Sequence, residues 1–411
     1  MADTLISEVG PLRRHPPFVL FWLARVCATI AFQALAVAVG WQIYAFTNSP
    51  FQLGLIGLVQ FLPSVIFFLI VGHVADRYDR RTVLRICQVV EGTVAALLAL
   101  GTASGWLTTD IIFALVFVFG AARAFESPTL QSLLPTIVPA QMFPSAVAGS
   151  ASANQTATII GPALGGFLYA IGPVFAYGFC ALAFLSAALF VTFIKVEGEA
   201  PAREPPTLKT LFAGINFIRH QPMILGAISL DLFAVLLGGA TALLPVFARD
   251  IFDAGPWVLG LLRAAPAVGA LSMSVALARW PLQQKVGRTM FVSVAIFGAA
   301  TIVFALSRSL PLSFVALVVL GAADVISVVI RLTLVQINTP TAMLGRVSAV
   351  NALFIGTSNQ LGEFESGVTA ALFGTVPAVV LGGIGTVLVV LIWMRLFPQL
   401  LHADRFNPPE R

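Results

Sequence analysis

Charge is what this chain of 411 residues has least of: Asp, Glu, Lys and Arg together make up 10% of it, against about 25% in a soluble domain. Lysine occurs only as Lys195, Lys209 and Lys285, and no G-x-x-x-x-G-K-S/T phosphate loop is present, which excludes an ATP-driven pump within the chain. No H-E-x-x-H or G-x-S-x-G pattern stands in any apolar stretch, so neither metalloprotease nor serine-hydrolase chemistry is expected, and the chain reads as no enzyme. The three cysteines, Cys27, Cys87 and Cys180, all fall in apolar stretches without metal or redox spacing. They read as small packing residues, and no metal or cofactor is expected. The net charge of +5 is not gathered into runs, which argues against a nucleic-acid partner.

What fills the space left by charge is carbon, since 58% of the residues are hydrophobic. A water-soluble globule of this length could not bury that much apolar surface, whereas lipid removes the constraint. Runs of about 20 apolar residues are needed to cross the hydrocarbon as helices. They occur near 17–46, 52–75, 83–104, 109–130, 144–170, 173–194, 222–247, 256–279, 288–307, 311–335, 346–373 and 377–397. The runs are too long for barrel strands. The first follows Arg13 and Arg14, is longer than a signal-peptide core, and is expected to be retained as a span.

Basic residues set the orientation. With the N-terminus inside, Arg13, Arg14, Arg77, Arg80, Arg81 and Arg85 fall on the cytoplasmic side. So do Lys195, Arg203, Lys209, Arg219, Arg279, Lys285, Arg288, Arg331, Arg346, Arg395, Arg405 and Arg411, leaving only Arg249 and Arg308 for the opposite loops. Both termini are therefore expected in the cytoplasm of a cell with a bacterial-type inner membrane. A polar stretch from Lys195 to about Thr207, containing EGEAPAREPP, reads as a linker. The TLKTLFAGINFIRHQP that follows is amphipathic and suits the membrane surface.

The halves resemble each other. RHPPFVL at Arg14–Leu20 matches RHQPMIL at Arg219–Leu225 at an offset of 205. At an offset of 201, GAA at Gly120 recurs at Gly321, Pro139 and Met142 match Pro340 and Met343, and Gly161 and Gly166 match Gly362 and Gly367. The expected fold is all-α and integral to the membrane: twelve transmembrane helices as two pseudo-symmetric six-helix bundles. Their bounds are 1–194 and 222–411, with a linker at 195–221.

Two motifs carry more. GHVADRYDRRTVL, Gly72 to Leu84, is a tight, densely charged turn. Gly72 permits close helix approach, Asp76 can accept from a helix N-terminus, and Arg77, Arg80 and Arg81 can pair with carboxylates or lipid phosphates. This string resembles the signature loop of the major facilitator superfamily, G-x-x-x-D-R-x-G-R-R/K, with Asp79 in place of the second glycine. The resemblance implies alternating access, with a conformational latch in which Asp76, supported by Gly72 and the three arginines, engages the start of span eleven near Arg346. GPALGG, Gly161 to Gly166, bends a helix at Pro162 and lets a neighbour approach at Gly161, Gly165 and Gly166. Besides an ordinary small-residue interface, it resembles the G-x-x-x-G-P-x-x-G-G signature of the superfamily's proton-coupled drug antiporters, with Ala157 for the first glycine. The loop at Thr339–Asn351, the RHPP string and LARV around Arg25 are similar to the enterobactin-exporter-like subgroup.

Ionisable residues inside spans are costly and are kept for a reason. They are Arg25, Glu91, Arg123, Glu126, Asp231, Arg263, Asp324, Glu363 and Glu365. Arg25 and Asp231 lie at like depth, about 12–14 Å into spans one and seven, which line the cavity in the resembled family, so a contact between them is expected. Arg123 and Glu126 share a face, with Glu91 at similar depth. A carboxylate that moves relative to an arginine changes its proton affinity, and Glu126 and Asp231 are the preferred proton carriers, with fixed ion pairs as the alternative. Asp324 and one of Glu363 and Glu365 would meet a cationic or polar substrate. Phe32, Trp41, Tyr44, Phe61 and Phe67 read as packing residues among 33 phenylalanines. The function expected is a monomeric secondary transporter that exports an amphiphilic small molecule, a drug or siderophore, in exchange for protons and amid membrane lipids. The alternatives are an importer or lipid flippase on the same fold, or a transport-inactive sensor.

Overall fold

The computed structural model describes residues 12–67, 70, 71, 74, 77–195, 208–404 and 406. Gly72 and Asp76 lie outside them, so the latch expected from the sequence is described only through Arg77, Arg80 and Arg81. The described residues contain helices and no strand.

The helices are α1 (Pro16–Thr47), α2 (Pro50–Ile66), α3 (Arg80–Ser104), α4 (Thr109–Ile137), α5 (Phe143–Ile171) and α6 (Pro173–Thr192). After the linker come α7 (Leu208–Arg219), α8 (Pro222–Leu237), α9 (Pro256–Arg279), α10 (Val286–Leu306), α11 (Leu310–Asn338), α12 (Thr341–Phe373) and α13 (Thr375–Leu396). Their starts follow local chemistry. The Thr108 hydroxyl accepts from the amide of Ile111 to cap α4, and prolines open α6, α8 and α9, where a missing N–H costs nothing. Gly105 closes α3 in the left-handed region at φ 74°.

Among the described residues nine helical segments are long and apolar enough to cross a membrane. α2 is apolar but shorter. α5 and α12 are long but carry polar faces, with Ser, Asn, Gln and Thr in one and Asn351, Gln360, Glu363 and Glu365 in the other. They stand at equivalent places in the two halves of the sequence.

One expected span is not a single helix. After α8 the chain breaks at Gly238–Gly239, continues as a 3₁₀ turn at Ala240–Leu243 and ends in a π-helical turn at Phe247–Ile251. Paired glycines and Pro245 make regular helix costly there.

The chain divides into two compact units, the first made of Met1–Gln42 and Val59–Pro205, the second of Ile43–Leu58 and Pro206–Arg411. Each shows the same pattern of close packing. In the first, a side chain on Gly120 of α4 would collide with the backbone of Gln60 in α2; in the second, one on Gly321 of α11 would collide with the backbone of Pro266 in α9. Likewise a Cβ on Gly165 would lie 2.5 Å from Ala34 Cα on α1, and one on Gly239 would lie 2.8 Å from Ser366 Oγ on α12. α7 rests on α12, where a Cβ on Gly214 would meet Arg346 O at 2.9 Å and Ile218 joins a core with Val347 and Val350. Phe212 of α7 points away, 63% exposed.

Candidate functional site

In the first unit the charges expected inside the membrane gather around Arg123. Its guanidinium pairs with Glu126 one turn along α4 and lies 4.4 Å above the ring of Phe32 on α1. Gln88 of α3 donates to the other Glu126 oxygen at 3.4 Å. Glu91, one turn beyond Cys87 on α3, is 0% exposed, and its carboxyl faces that of Glu126. It lies within electrostatic reach of both Glu126 and Arg123. Arg25 reaches from α1 to α5, donating to Ser150 Oγ at 2.8 Å, and is within the field of Glu126 and Arg123.

The second unit builds a related group. Asp231 on α8 pairs with Arg331 on α11, at 6% and 2% exposure. Asp324, two turns before Arg331 on the same face, lines a cavity of ≈ 10 Å³ with Asp231 and Ser327 and lies within the field of both members of the pair. One correction follows. Arg331 is not a cytoplasmic loop residue, because α11 runs on to Asn338 and carries it into the core. Within its own unit each of the two residues expected to meet has a partner, Arg331 for Asp231 and Ser150 for Arg25. The signal for Arg331 was in the sequence: seven residues after Asp324 place both on one helix face.

Glu363 on α12 lies in the field of Arg263, and a Cβ on Gly57 would come within 2.7 Å of its Oε2. Glu365 turns the other way and accepts from Thr369 Oγ1 at 2.7 Å. Trp41, Phe61 and Phe67 gather no polar partner in these groups. Tyr44 donates to Asp250 in the π-helical turn, and Arg249 donates to the Tyr44 carbonyl at 3.3 Å.

At the charged loop, Asp79 explains the missing glycine. Its φ is −59°, a conformation any residue adopts. Its carboxylate caps α3, accepting from the Thr82 amide at 3.3 Å and hydroxyl at 2.9 Å, with Arg81 Nε at 3.4 Å. Burial would push this carboxyl up, but the Thr82 bonds and the Arg81 guanidinium outweigh it and hold it below the usual carboxylate range. Arg81 also donates to Ile194 O at the end of α6, at 3.0 Å. Arg77 is exposed, and Arg80 keeps a buried Nε without a partner among the described residues. In the GPALGG motif, Gly161, Pro162, Gly165 and Gly166 are all buried. A Cβ on Gly161 would lie 2.6 Å from Gln33 Cβ and 3.1 Å from Ile30 O, so α5 meets α1 backbone to backbone.

A family profile described as "Transmembrane secretion effector" matches residues 6–408. The enterobactin exporter EntS of Citrobacter koseri is 28% identical over 98% of this chain and 96% of its own length. That of Escherichia coli O9:H4 is 26% identical over 98% and 97%. Among solved structures, a bacterial homologue of the human lysosomal transporter Spinster superposes with a TM-score of 0.73 at 13% identity, covering 95% of this chain and 97% of that one. The nucleoside transporter NupG, as its D323A mutant, gives 0.72 at 12%, covering 93% and 100%. At these identities the structures speak for the fold alone. The fold and the full-length match agree: this multi-pass membrane chain belongs to the transmembrane secretion effector family of major facilitator superfamily transporters.

Proposed function

We propose that the protein exports an amphiphilic small molecule, of the siderophore or drug class, from the cytoplasm across the inner membrane by proton antiport. Two six-helix bundles, 1–194 and 222–411, would alternate access about a central path, with both termini cytoplasmic and the chain acting as a monomer. The enterobactin exporters support the outward direction and the substrate class. The observation that carries proton coupling is Glu91, a fully buried carboxyl that faces the carboxyl of Glu126, beside the Glu126–Arg123 pair. Two buried carboxyls side by side are expensive as two anions and hold a proton between them instead, and a shift relative to Arg123 would change that balance. Asp231 and Asp324, sharing Arg331, would serve alike in the second unit. Glu363 would meet a polar part of the substrate. The Gly72–Arg81 loop would latch one access state, and the Gly161–Gly166 packing would limit leakage.

Inside-out vesicles from an expressing strain test the direction. Labelled catecholate siderophore, or a cationic dye from a drug panel, should accumulate when the lumen is made acidic. Accumulation that ignores the imposed gradient sinks the antiport reading, and loss of preloaded substrate under the same gradient favours an importer.

A further inference from the structure

In the second unit the pairing of Asp231 with Arg331 leaves one buried hydroxyl unaccounted for. Along α11, Asp324, Ser327 and Arg331 follow at intervals of three and four residues, one stripe of the helix over about 10 Å of rise. A serine inside a helix commonly turns back to the carbonyl four residues earlier, as Ser272 does to Val268 O at 2.7 Å and Ser274 to Ala270 O at 2.8 Å. Ser327 does not. It is 2% exposed, and its Oγ is buried without a hydrogen-bond partner among the described residues. A buried hydroxyl left unpaired is costly.

The cavity that Ser327 lines with Asp231 and Asp324 supplies what the hydroxyl lacks. Its volume of ≈ 10 Å³ matches one water. Buried waters sit where about two to four polar groups converge, and three converge here. Asp231 commits one oxygen to Arg331, and a carboxylate accepts at its second oxygen as well. The rest of the lining is carbon, with Val294 and Phe297 of α10 closing one side. The charges that face the cavity are therefore Asp231, Asp324 and, through its field, Arg331. Three oxygen-bearing side chains are too few for a dehydrated hard cation, which takes about six oxygens, and Arg331 already sets a positive charge beside them. The two acids differ in access: Asp231 is buried and tied to Arg331, whereas Asp324 is half-buried.

We propose that this cavity holds one structural water, bound by Asp231, Asp324 and Ser327, which passes protons between the two carboxyls, with Ser327 as the residue that positions it. A protonated Asp324 gives its proton to the water oxygen, the water gives one of its own to Asp231, and the water is left unchanged. Neutral Asp231 then loosens its hold on Arg331. The relay rests on the antiport reading; the water site does not.

The test uses the full chain reconstituted in lipid and infrared difference spectra between acid and alkaline buffer, in ordinary and in heavy-oxygen water. The wild type should show an O–H stretching band that moves with the oxygen isotope, together with a carboxyl C=O band, and Asp324→Asn should remove both. Ser327→Val puts carbon into the cavity and should abolish the isotope-sensitive band and proton-driven substrate accumulation. Ser327→Ala leaves the water two partners and should shift both bands. Ser293→Ala on α10, whose equally buried hydroxyl already donates to Met290 O at 2.9 Å, should change neither. No isotope-sensitive band in the wild type, or one that both Ser327 variants leave in place, would overturn the proposal. Bands as expected without proton-driven accumulation in the wild type would uphold the water and overturn its role as a relay. If Ser327→Val does not fold, Ser327→Ala decides alone, and unmoved bands there refute the site.

Discussion

Glu91 and Glu126 sit on neighbouring helices around one arginine, yet they should respond oppositely to the same substitution. Glu126→Gln removes the partner of Arg123. The Arg123 side chain keeps 31% of its surface open, so the cost falls at the low end for a broken pair, about 1–3 kcal/mol. Asp231→Asn strands Arg331 at 2% exposure and should cost more, about 3–5 kcal/mol. Glu91→Gln breaks no ion pair among the described residues, and an amide can still donate to Glu126, so it should leave the melting temperature unchanged or higher, while abolishing proton-driven accumulation. Thermal unfolding of the three purified variants checks the order; a Glu91→Gln melt as low as that of Asp231→Asn would make Glu91 a structural residue. Sequence placed these carboxylates in spans and Arg123 on the face of Glu126, but did not place Arg331 beside Asp231. Arg331 was hidden because counting basic residues puts an arginine near a span's end into the loop, and only its seven-residue spacing from Asp324 says otherwise.

At the scale of elements, the spans were legible wherever apolar length was the whole signal, as in α6 and α10. The break after α8 was not, because Gly238 and Gly239 are as apolar as their surroundings in a hydropathy reading and act through backbone freedom instead. The charged loop was legible as a motif, but its departure at Asp79 became intelligible only with the Thr82 bonds in place. GPALGG illustrates the gap between pattern and partner: small residues announce a close approach and do not say to what. The structure supplies Ile30, Gln33 and Ala34 of α1. Gly165→Val should therefore push α5 off α1 and lower stability by about 1–3 kcal/mol. Gly178→Ala on α6, where a Cβ meets nothing within 4 Å, should be neutral or stabilising by about 0.4–1 kcal/mol. Matched thermal melts check the pair, and equal losses at both positions would contradict the packing account.

For the molecule as a whole, the internal offset of 201 in sequence returns as matched contacts, Gly120 on Gln60 and Gly321 on Pro266, because duplicated helices must repeat their closest approaches. The charges did not repeat in kind: Arg123 corresponds to Asp324, and each unit reaches its own arrangement of one central arginine and two carboxylates. The substrate is the least legible part, since apolar helices mark a route without naming the traveller. The central claim, that outward substrate movement is exchanged for protons through these buried carboxyls, is tested most directly by proton counting. The protein is reconstituted into liposomes holding a trapped pH dye, and an external pulse of catecholate siderophore is added. The account predicts that the lumen turns alkaline as substrate enters and protons leave, and that Glu91→Gln vesicles give no change. An acid-going lumen, or substrate uptake with no pH change in the wild type, would contradict it.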